Sequence, residues 1–153
     1  GAKLSGFEAG LSGTMRPFGP EWAISPFVNG TRLTEYSDNA TGAKLLYTPE
    51  WTASTGFTVH DRHGFKGMFN LAYTGKTKVQ VWEDWSGRVV TKAGFPLASV
   101  SLSKKVFLGE GKARGTGVTI SAEVNNLFDR NYEYVRGYSM PGRTLTVGIR
   151  ADI

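Results

Sequence analysis

The sequence predicts an all-β chain: an antiparallel, up-and-down sheet of about seven strands. Seven stretches alternate apolar and polar residues with period two, and almost nothing repeats with the period of a helix. Glycine and proline punctuate the chain between these stretches. The connections also alternate in length, short and then long, as they do when neighbouring strands are joined in sequence.

The first stretch runs from about Ser5 to Met15, with Phe7, Ala9, Leu11 and Met15 on one face and Glu8, Gly10, Ser12 and Thr14 on the other. Arg16 to Pro20 is a short turn. The second, Glu21 to about Thr31, aligns Trp22, Ile24, Pro26 and Val28. Proline lacks the N–H that a ladder needs, so a bulge or irregularity is expected at Pro26. Polar Glu35 to Gly42 reads as loop. In the third stretch Leu45, Tyr47, Pro49, Trp51, Ala53, Thr55, Phe57 and Val59 share a face, opposed by Lys44, Thr48, Glu50, Thr52, Ser54, Thr58 and His60. Asp61 to Gly64 is a tight turn. The fourth, Phe65 to Val81, is expected to form one strand far longer than the usual ~5–6 residues. A loop from Glu83 to Gly94 follows.

The fifth stretch sets Ala98, Val100 and Leu102 against Ser99, Ser101 and Ser103. Gly109–Gly117 leads to the sixth, where Val118, Ile120, Ala122 and Val124 oppose Thr119, Ser121, Glu123 and Asn125. The seventh, Thr144 to Ile153, sets Leu145, Val147, Ile149, Ala151 and Ile153 against Thr146, Gly148, Arg150 and Asp152.

A chain of 153 residues is long enough for one domain. No repeat or low-complexity linker divides it, so residues 1–153 are expected to form one unit. No run of ~18 apolar residues exists, which excludes a transmembrane helix but not a crossing by strands. The net charge is +5, yet Lys and Arg are scattered rather than gathered in a tract, which argues against a nucleic-acid surface. With no cysteine, neither a disulfide framework nor a thiolate metal site is available. Gly1 opens on strand-like sequence, so any secretion signal is expected to have been removed or to lie far upstream.

Alternation alone fits a soluble β-sandwich as well as the wall of a membrane barrel. Strand length, aromatics near the ends of the apolar faces (Trp22, Tyr47, Trp51, Phe57, Tyr73) and opposite faces rich in Ser, Thr, Asn, Lys and Glu favour the barrel. If the last strand ends in the periplasm, the long connections at Thr34–Ala43, Glu83–Gly94 and Phe128–Arg143 face outward. Arg16–Pro20 and Asp61–Gly64 then make short inner turns, as outer-membrane barrels do; Gly109–Gly117 is long for that rule.

One stretch is more specific. Asn126-Leu127-Phe128-Asp129 with Tyr132, then Pro141-Gly142-Arg143 and a last alternating strand, resembles the C-terminal signature of TonB-dependent outer-membrane receptors. The resemblance is specific from about Val118 onward. It implies that residues 1–153 are the C-terminal, roughly seven-stranded part of a transmembrane β-barrel of about 22 strands in a bacterial outer membrane. It also implies that the plug domain and the TonB-contacting segment are absent from this chain. The implied function is receptor-mediated, TonB-dependent uptake of an iron-siderophore, cobalamin or similar nutrient, with outer-membrane lipid, lipopolysaccharide and TonB as partners. The Gly137-Tyr138-x-x-Pro141-Gly142-Arg143 ending is somewhat nearer the cobalamin-receptor branch. One departure is Ile153, where the family typically ends on an aromatic residue. The strand is expected to survive this, and the change bears on recognition by the insertion machinery.

In that setting Trp85, Arg88, Tyr134, Arg136 and Tyr138 fall in outward loops and are the candidate ligand-binding residues, by stacking and hydrogen bonding. The plainer alternative is that they pack the loops together or meet lipopolysaccharide. Asn126, Leu127, Phe128, Asp129, Tyr132, Pro141, Gly142 and Arg143 are expected to be structural. His60 and His63 flank a turn without a predictable third ligand, so no metal site is expected. No Gly-x-Ser-x-Gly elbow or triad spacing occurs, and Gly109-Glu-Gly-Lys112 lacks the glycine and hydroxyl of a phosphate loop. The chain is therefore expected to be neither an enzyme nor a cofactor binder. The alternatives are a soluble carbohydrate-binding sandwich with Trp51, Trp82 or Trp85 as stacking platforms, and an outer-membrane enzyme or small closed barrel. A barrel segment cut from its wall is expected to aggregate, need detergent or pair edge to edge.

Overall fold

The computed structural model describes residues 1–82, 87–107 and 116–152. Among them are nine strands: β1 (Ala2–Ser12), β2 (Trp22–Asp38), β3 (Trp51–Asp61), β4 (Phe65–Thr74), β5 (Thr77–Gln80), β6 (Val89–Lys92), β7 (Phe95–Phe107), β8 (Gly117–Asn125) and β9 (Thr144–Asp152). Seven form one antiparallel sheet in the order β1-β2-β3-β4-β7-β8-β9, and β5 and β6 form a separate two-stranded ribbon. The sheet is a meander whose ends differ. The turn end carries residues 13–21, the Arg62–Gly64 turn, the end of β7 at Phe107 and the start of β8 at Gly117. The loop end carries 39–50, the described residues 75–82 and 87–94 with their ribbon, and 126–143.

The register aligns the apolar residues of every strand. Pro26, Phe57, Phe69, Val100, Val124 and Leu145 are successive Cα partners from β2 to β9, an apolar row without a break. The next row toward the turn end reads Ile24, Val59, Gly67, Leu102, Ala122 and Val147. The other face carries rows such as Ser25, Thr58, Met68, Ser101, Glu123 and Thr146. A period-two sheet must sort its side chains in this way once one register is fixed.

No second sheet covers the apolar face among the described residues, so the face-to-face packing of a sandwich is not found. Phe7 (75%), Leu11 (74%) and Ile149 (75%) are largely exposed. Aromatic pairs bound this face. Trp22 lies 5.8 Å from Phe65 at the turn end, and Trp51 stacks on Tyr73 at 4.5 Å toward the loop end. Ten residue steps separate Trp51 from Asp61, the partner of Trp22, which is about 33 Å of strand and about 23 Å when tilted by ~45°.

Apart from Ala23 near the turn end, the buried side chains gather instead around the loop end: Val79, Val81, Phe95, Ala98, Tyr36 and Asn126. Full burial of a valine contributes about 1.5–3 kcal/mol, so Val79 and Val81 anchor the ribbon.

Several expected boundaries shift. The β2 strand runs to Asp38, so Glu35–Asp38 is strand and the loop is 39–50. The ladder slips between Ser5 and Gly6 opposite unpaired Thr34, which reverses the face of every later β2 residue. The third stretch begins only at Trp51. Before it, Tyr47 has φ 59° and donates its N–H to the Lys78 carbonyl at 2.8 Å, which breaks any strand there. The fourth stretch divides at Gly75. A Cβ at Gly75 would lie 2.6 Å from the Trp51 carbonyl oxygen, so only glycine allows the Gly75 N–H to reach that oxygen at 2.9 Å. Beyond it Thr77–Gln80 pairs with Val89–Lys92, part of a segment expected to be loop.

Pro26 disturbs nothing. Its carbonyl accepts from Gly13 N–H, so its missing donor also faces the β1 side, where the ladder is ending, and not β3. The Asp61 turn forms as expected: Asp61 Oδ1 accepts from the N–H groups of His63 (2.9 Å) and Phe65 (2.7 Å), and Gly64 takes φ 88°. The Gly109–Glu110–Gly111–Lys112 segment and Ile153 lie outside the described residues.

Candidate ligand-binding site at the loop end

Three segments build the loop end. The first is 39–50. Asp38 starts its turn by accepting from the N–H groups of Ala40 and Thr41, each at 2.9 Å. Lys44 Nζ then donates to Tyr36 Oη and to Glu50 Oε1, both at 3.1 Å, while Tyr36 Oη donates to Glu50 Oε1 at 3.2 Å. Lys44 holds Glu50 below the usual carboxylate range, with Tyr36 adding to the effect. Lys44 is itself held above its ordinary value, first by the Tyr36 oxygen and next by Glu50.

The second segment is the β5–β6 ribbon, closed by Val81 N–H to the Arg88 carbonyl at 2.9 Å and Gln80 Nε2 to the Gly87 carbonyl at 3.0 Å. Pro49 bridges to Thr77, so the ribbon is tied to the first loop.

The third segment, 126–143, is shaped by the signature residues. Asn126, with φ 50° and 6% exposure, donates from Nδ2 to the Arg130 carbonyl at 2.8 Å and accepts from Arg130 N–H at 2.9 Å. Asp129 Oδ1 accepts from Arg143 N–H at 2.7 Å and so joins the start of the loop to its end. Leu127 N–H reaches the Ala98 carbonyl at 2.9 Å, docking the loop on β7. Phe128 is exposed.

These segments meet at an aromatic cluster. Phe95 lies 5.2 Å from Tyr132 and 5.5 Å from Tyr134, and the two tyrosines stand edge to face at 5.7 Å. Lys92 Nζ sits 4.7 Å from the Phe95 ring centre and donates to the Glu133 carbonyl. Burial, and then the neighbouring Tyr132, pushes the Tyr134 phenol up from its ordinary value. Two adjoining cavities flank the cluster. One of about 440 Å³ is lined by Lys92, Phe95, Arg130, Tyr132, Glu133 and Ser139. The other, about 290 Å³, is lined by Tyr47, Thr52, Lys92, Phe95, Tyr134 and Val135 among others. Flat rings, an ammonium and backbone carbonyls converge there, a composition that suits a small ligand with both ring and polar character.

Of the sequence-predicted residues, Tyr134, Arg136 and Tyr138 share one turn, closed by Gly137 N–H to Glu133 Oε2 at 2.9 Å and Tyr138 N–H to the Val135 carbonyl at 3.1 Å. Only Tyr134 lines a cavity named above; Arg136 and Tyr138 are exposed. Arg88 belongs to the ribbon hairpin, and Trp85 lies outside the described residues. Lys92 and Phe95 were not anticipated. Lys92 stands in a segment expected to be irregular, and only the pairing of β5 with β6 brings it to the cluster.

No protein-family model matches the sequence, and no curated protein does. Solved structures do match. One is FpvA of P. aeruginosa, a TonB-dependent outer-membrane receptor, bound to a heterologous pyoverdine–iron complex; its TM-score is 0.64 at 18% identity. The complex of FpvAI with pyocin S2 gives 0.63 at 19% identity. The likeness is one of fold. Each comparison covers 99% of this chain and 20% of the other, so the chain spans about a fifth of the receptors it matches.

Proposed function

We propose that residues 1–153 form the C-terminal wall of a TonB-dependent receptor in a bacterial outer membrane, with the plug domain and the TonB-contacting segment outside this chain. The observation that carries this reading is the apolar face: six strands deep in unbroken apolar rows, exposed, and bounded by aromatic pairs about one bilayer core apart. Water is a poor solvent for such a face, and hydrocarbon is a good one. The fold likeness to a receptor of this class supports the same reading.

The ligand is a scarce nutrient such as an iron-siderophore or cobalamin. It is met by Tyr134, Arg136 and Tyr138 together with Arg88 and Trp85, and the Lys92–Phe95–Tyr132 cluster supports them. The protein acts as a carrier and not as an enzyme, and it needs no resident metal or cofactor. Edges β1 and β9 continue into the rest of the wall, and an isolated segment self-associates through them.

Membrane extraction tests the proposal. The protein is expected to stay with the membrane through alkaline washing, to dissolve only in detergent, and to lose nutrient binding on Tyr134→Ala. A monodisperse monomer in detergent-free buffer, by light scattering coupled to gel filtration, would refute it.

A further inference from the structure

The two cavities beside the aromatic cluster differ in chemistry. Phe95 is the Cα partner of Thr74 and shares its face of β7 with Ser99 and Ser101. The cluster therefore lies on the polar side of the sheet, away from the apolar rows. The cavity of about 290 Å³ is walled by Tyr47, Tyr134 and Val135. The cavity of about 440 Å³ takes Arg130, Tyr132 and Ser139 instead, and Lys92, Phe95 and Glu133 line both. A ring-lined compartment thus opens beside a charged one, with the Lys92 ammonium at the border.

Arg130 is fixed at its base and unengaged at its tip. Its carbonyl and its N–H are both held by buried Asn126, at 2.8 and 2.9 Å. Its guanidinium makes no hydrogen bond or ion pair among the described residues, so five donors in a planar fork are available to a ligand. Lys92 Nζ spends one of its three donors on the Glu133 carbonyl and rests on the Phe95 ring. Glu133 is the single acidic residue lining the larger cavity, and Gly137 N–H ties its Oε2 into the 133–137 turn at 2.9 Å. Two cations therefore face one carboxylate. Arg130 also occupies a position that the C-terminal signature leaves open, between Asp129 and Tyr132. The signature residues set where the backbone stands, and the residue at 130 sets what is bound there.

We propose that this site selects ligands that carry an ionised carboxylate beside a flat ring, with Arg130 and Lys92 as the residues that read the charge. The carboxylate lies in the larger cavity, gripped at two points by the guanidinium and at a third by a remaining Lys92 donor. The ring lies in the smaller cavity against Phe95 and Tyr134. A neutral ligand would desolvate both cations without supplying a counter-charge, and a bare anion would leave the ring-lined compartment unfilled. The inference rests on the reading of this end as a receptor's ligand site and narrows the ligands that reading leaves open.

Saturation-transfer NMR on the detergent-extracted full-length protein tests it, with 2-naphthoate and its uncharged amide, 2-naphthamide, as matched probes. Wild-type protein is expected to bind the acid at least about tenfold more tightly than the amide. Arg130→Gln should remove most of that preference and Arg130→Lys should keep part of it. Amide exchange at Leu127 should stay unchanged in both variants, because Asn126 holds only the backbone of Arg130. Acetate at equal concentration should not displace the naphthoate. Equal binding of the two probes, binding of neither, or an unchanged preference in Arg130→Gln would overturn the proposal. Displacement by acetate would overturn it in favour of a plain anion site. A protein recovered in the soluble fraction removes the receptor reading and this inference together. A detergent-dependent protein that does not distinguish acid from amide removes this inference alone.

Discussion

Replacing Val100 by arginine places a charge on the central row of the apolar face. Val100 has Phe69 on one side and Val124 on the other. Its row continues through Phe57, which lies six steps from Trp51 and four from Asp61, close to the middle of the band. At the midplane of a barrel wall a lipid-facing arginine costs about 2–4 kcal/mol, a fall of between one and three orders of magnitude in the folded-to-unfolded ratio. On a water-exposed sheet the same change costs about 0.5 kcal/mol or less. Ser101→Arg is the matched control. Ser101 neighbours Met68 and Glu123 on the opposite, polar face, so its arginine points away from lipid and gains an acidic neighbour. Urea titration of both variants in phospholipid vesicles, followed by tryptophan fluorescence, should separate them by at least about 1.5 kcal/mol. Midpoints equal within experimental error would mean that both faces meet the same solvent, and the wall argument would fail.

Other expectations are local. Asn126→Ala removes two hydrogen bonds to Arg130 from a buried position; it should destabilise the 126–143 loop by about 1–3 kcal/mol, read as faster amide exchange at Arg130 and Leu127. Gly56→Ala would drive a methyl into the Phe69 carbonyl oxygen and against the Phe27 ring; a cost of about 1–3 kcal/mol is expected, and a neutral effect on the unfolding midpoint would contradict the register of β3 on β4. The Lys44–Glu50 tie should depend on pH at both ends. The contribution of Glu50, whose carboxyl is lowered by Lys44 and then Tyr36, is complete above the ordinary carboxylate range and lost as pH falls through the lowered value. The contribution of Lys44, raised by Tyr36 and then Glu50, is complete below the ordinary lysine value and lost as pH rises through the raised one. Proteolysis within 39–50 should therefore increase in strong acid, and Glu50→Gln should abolish the acid limb; an identical acid limb in the variant would assign the effect elsewhere.

What could be read from the chain depended on how far each signal travels. Alternation through Ala53–Val59, Ala98–Leu102, Val118–Val124 and Leu145–Ala151 gave strands with the correct faces, because each residue's face follows from its immediate neighbours. The outer half of β2 was illegible for the same reason. The slip opposite Thr34 reverses the phase, so Glu35–Asp38 mimics a polar loop although it pairs with β1. Leu45–Pro49 shows the converse, an alternation that continues the phase of β3 by chance while Tyr47 turns the backbone to φ 59°. Val79 and Val81 kept the phase of β4 across Gly75, which hid the ribbon. The loop signature was legible because Asn126 acts on Arg130 and Asp129 on Arg143, within the same segment. The aromatic cluster was only half legible: Tyr132 and Tyr134 are local, whereas Phe95 and Lys92 reach them through the meander.

The position of the core carries the functional argument further than any single motif. A soluble sheet protein buries its apolar face under a second layer. Here the most buried residues, such as Val79, Val81 and Phe95, hold ribbon and loops together at one end, while Phe7, Leu11, Leu145 and Ile149 stay bare along the sheet. The ribbon cannot serve as the second layer, because its buried valines belong to the loop cap. Among the described residues nothing covers the sheet, which favours an apolar surrounding whose dimension is set by the aromatic pairs that bound the apolar rows. Water satisfies the polar rows of Ser, Thr, Asn and Glu on the other face. A wall between hydrocarbon and a wet interior meets both requirements with the same register, and one residue of slip in any strand would violate both at once.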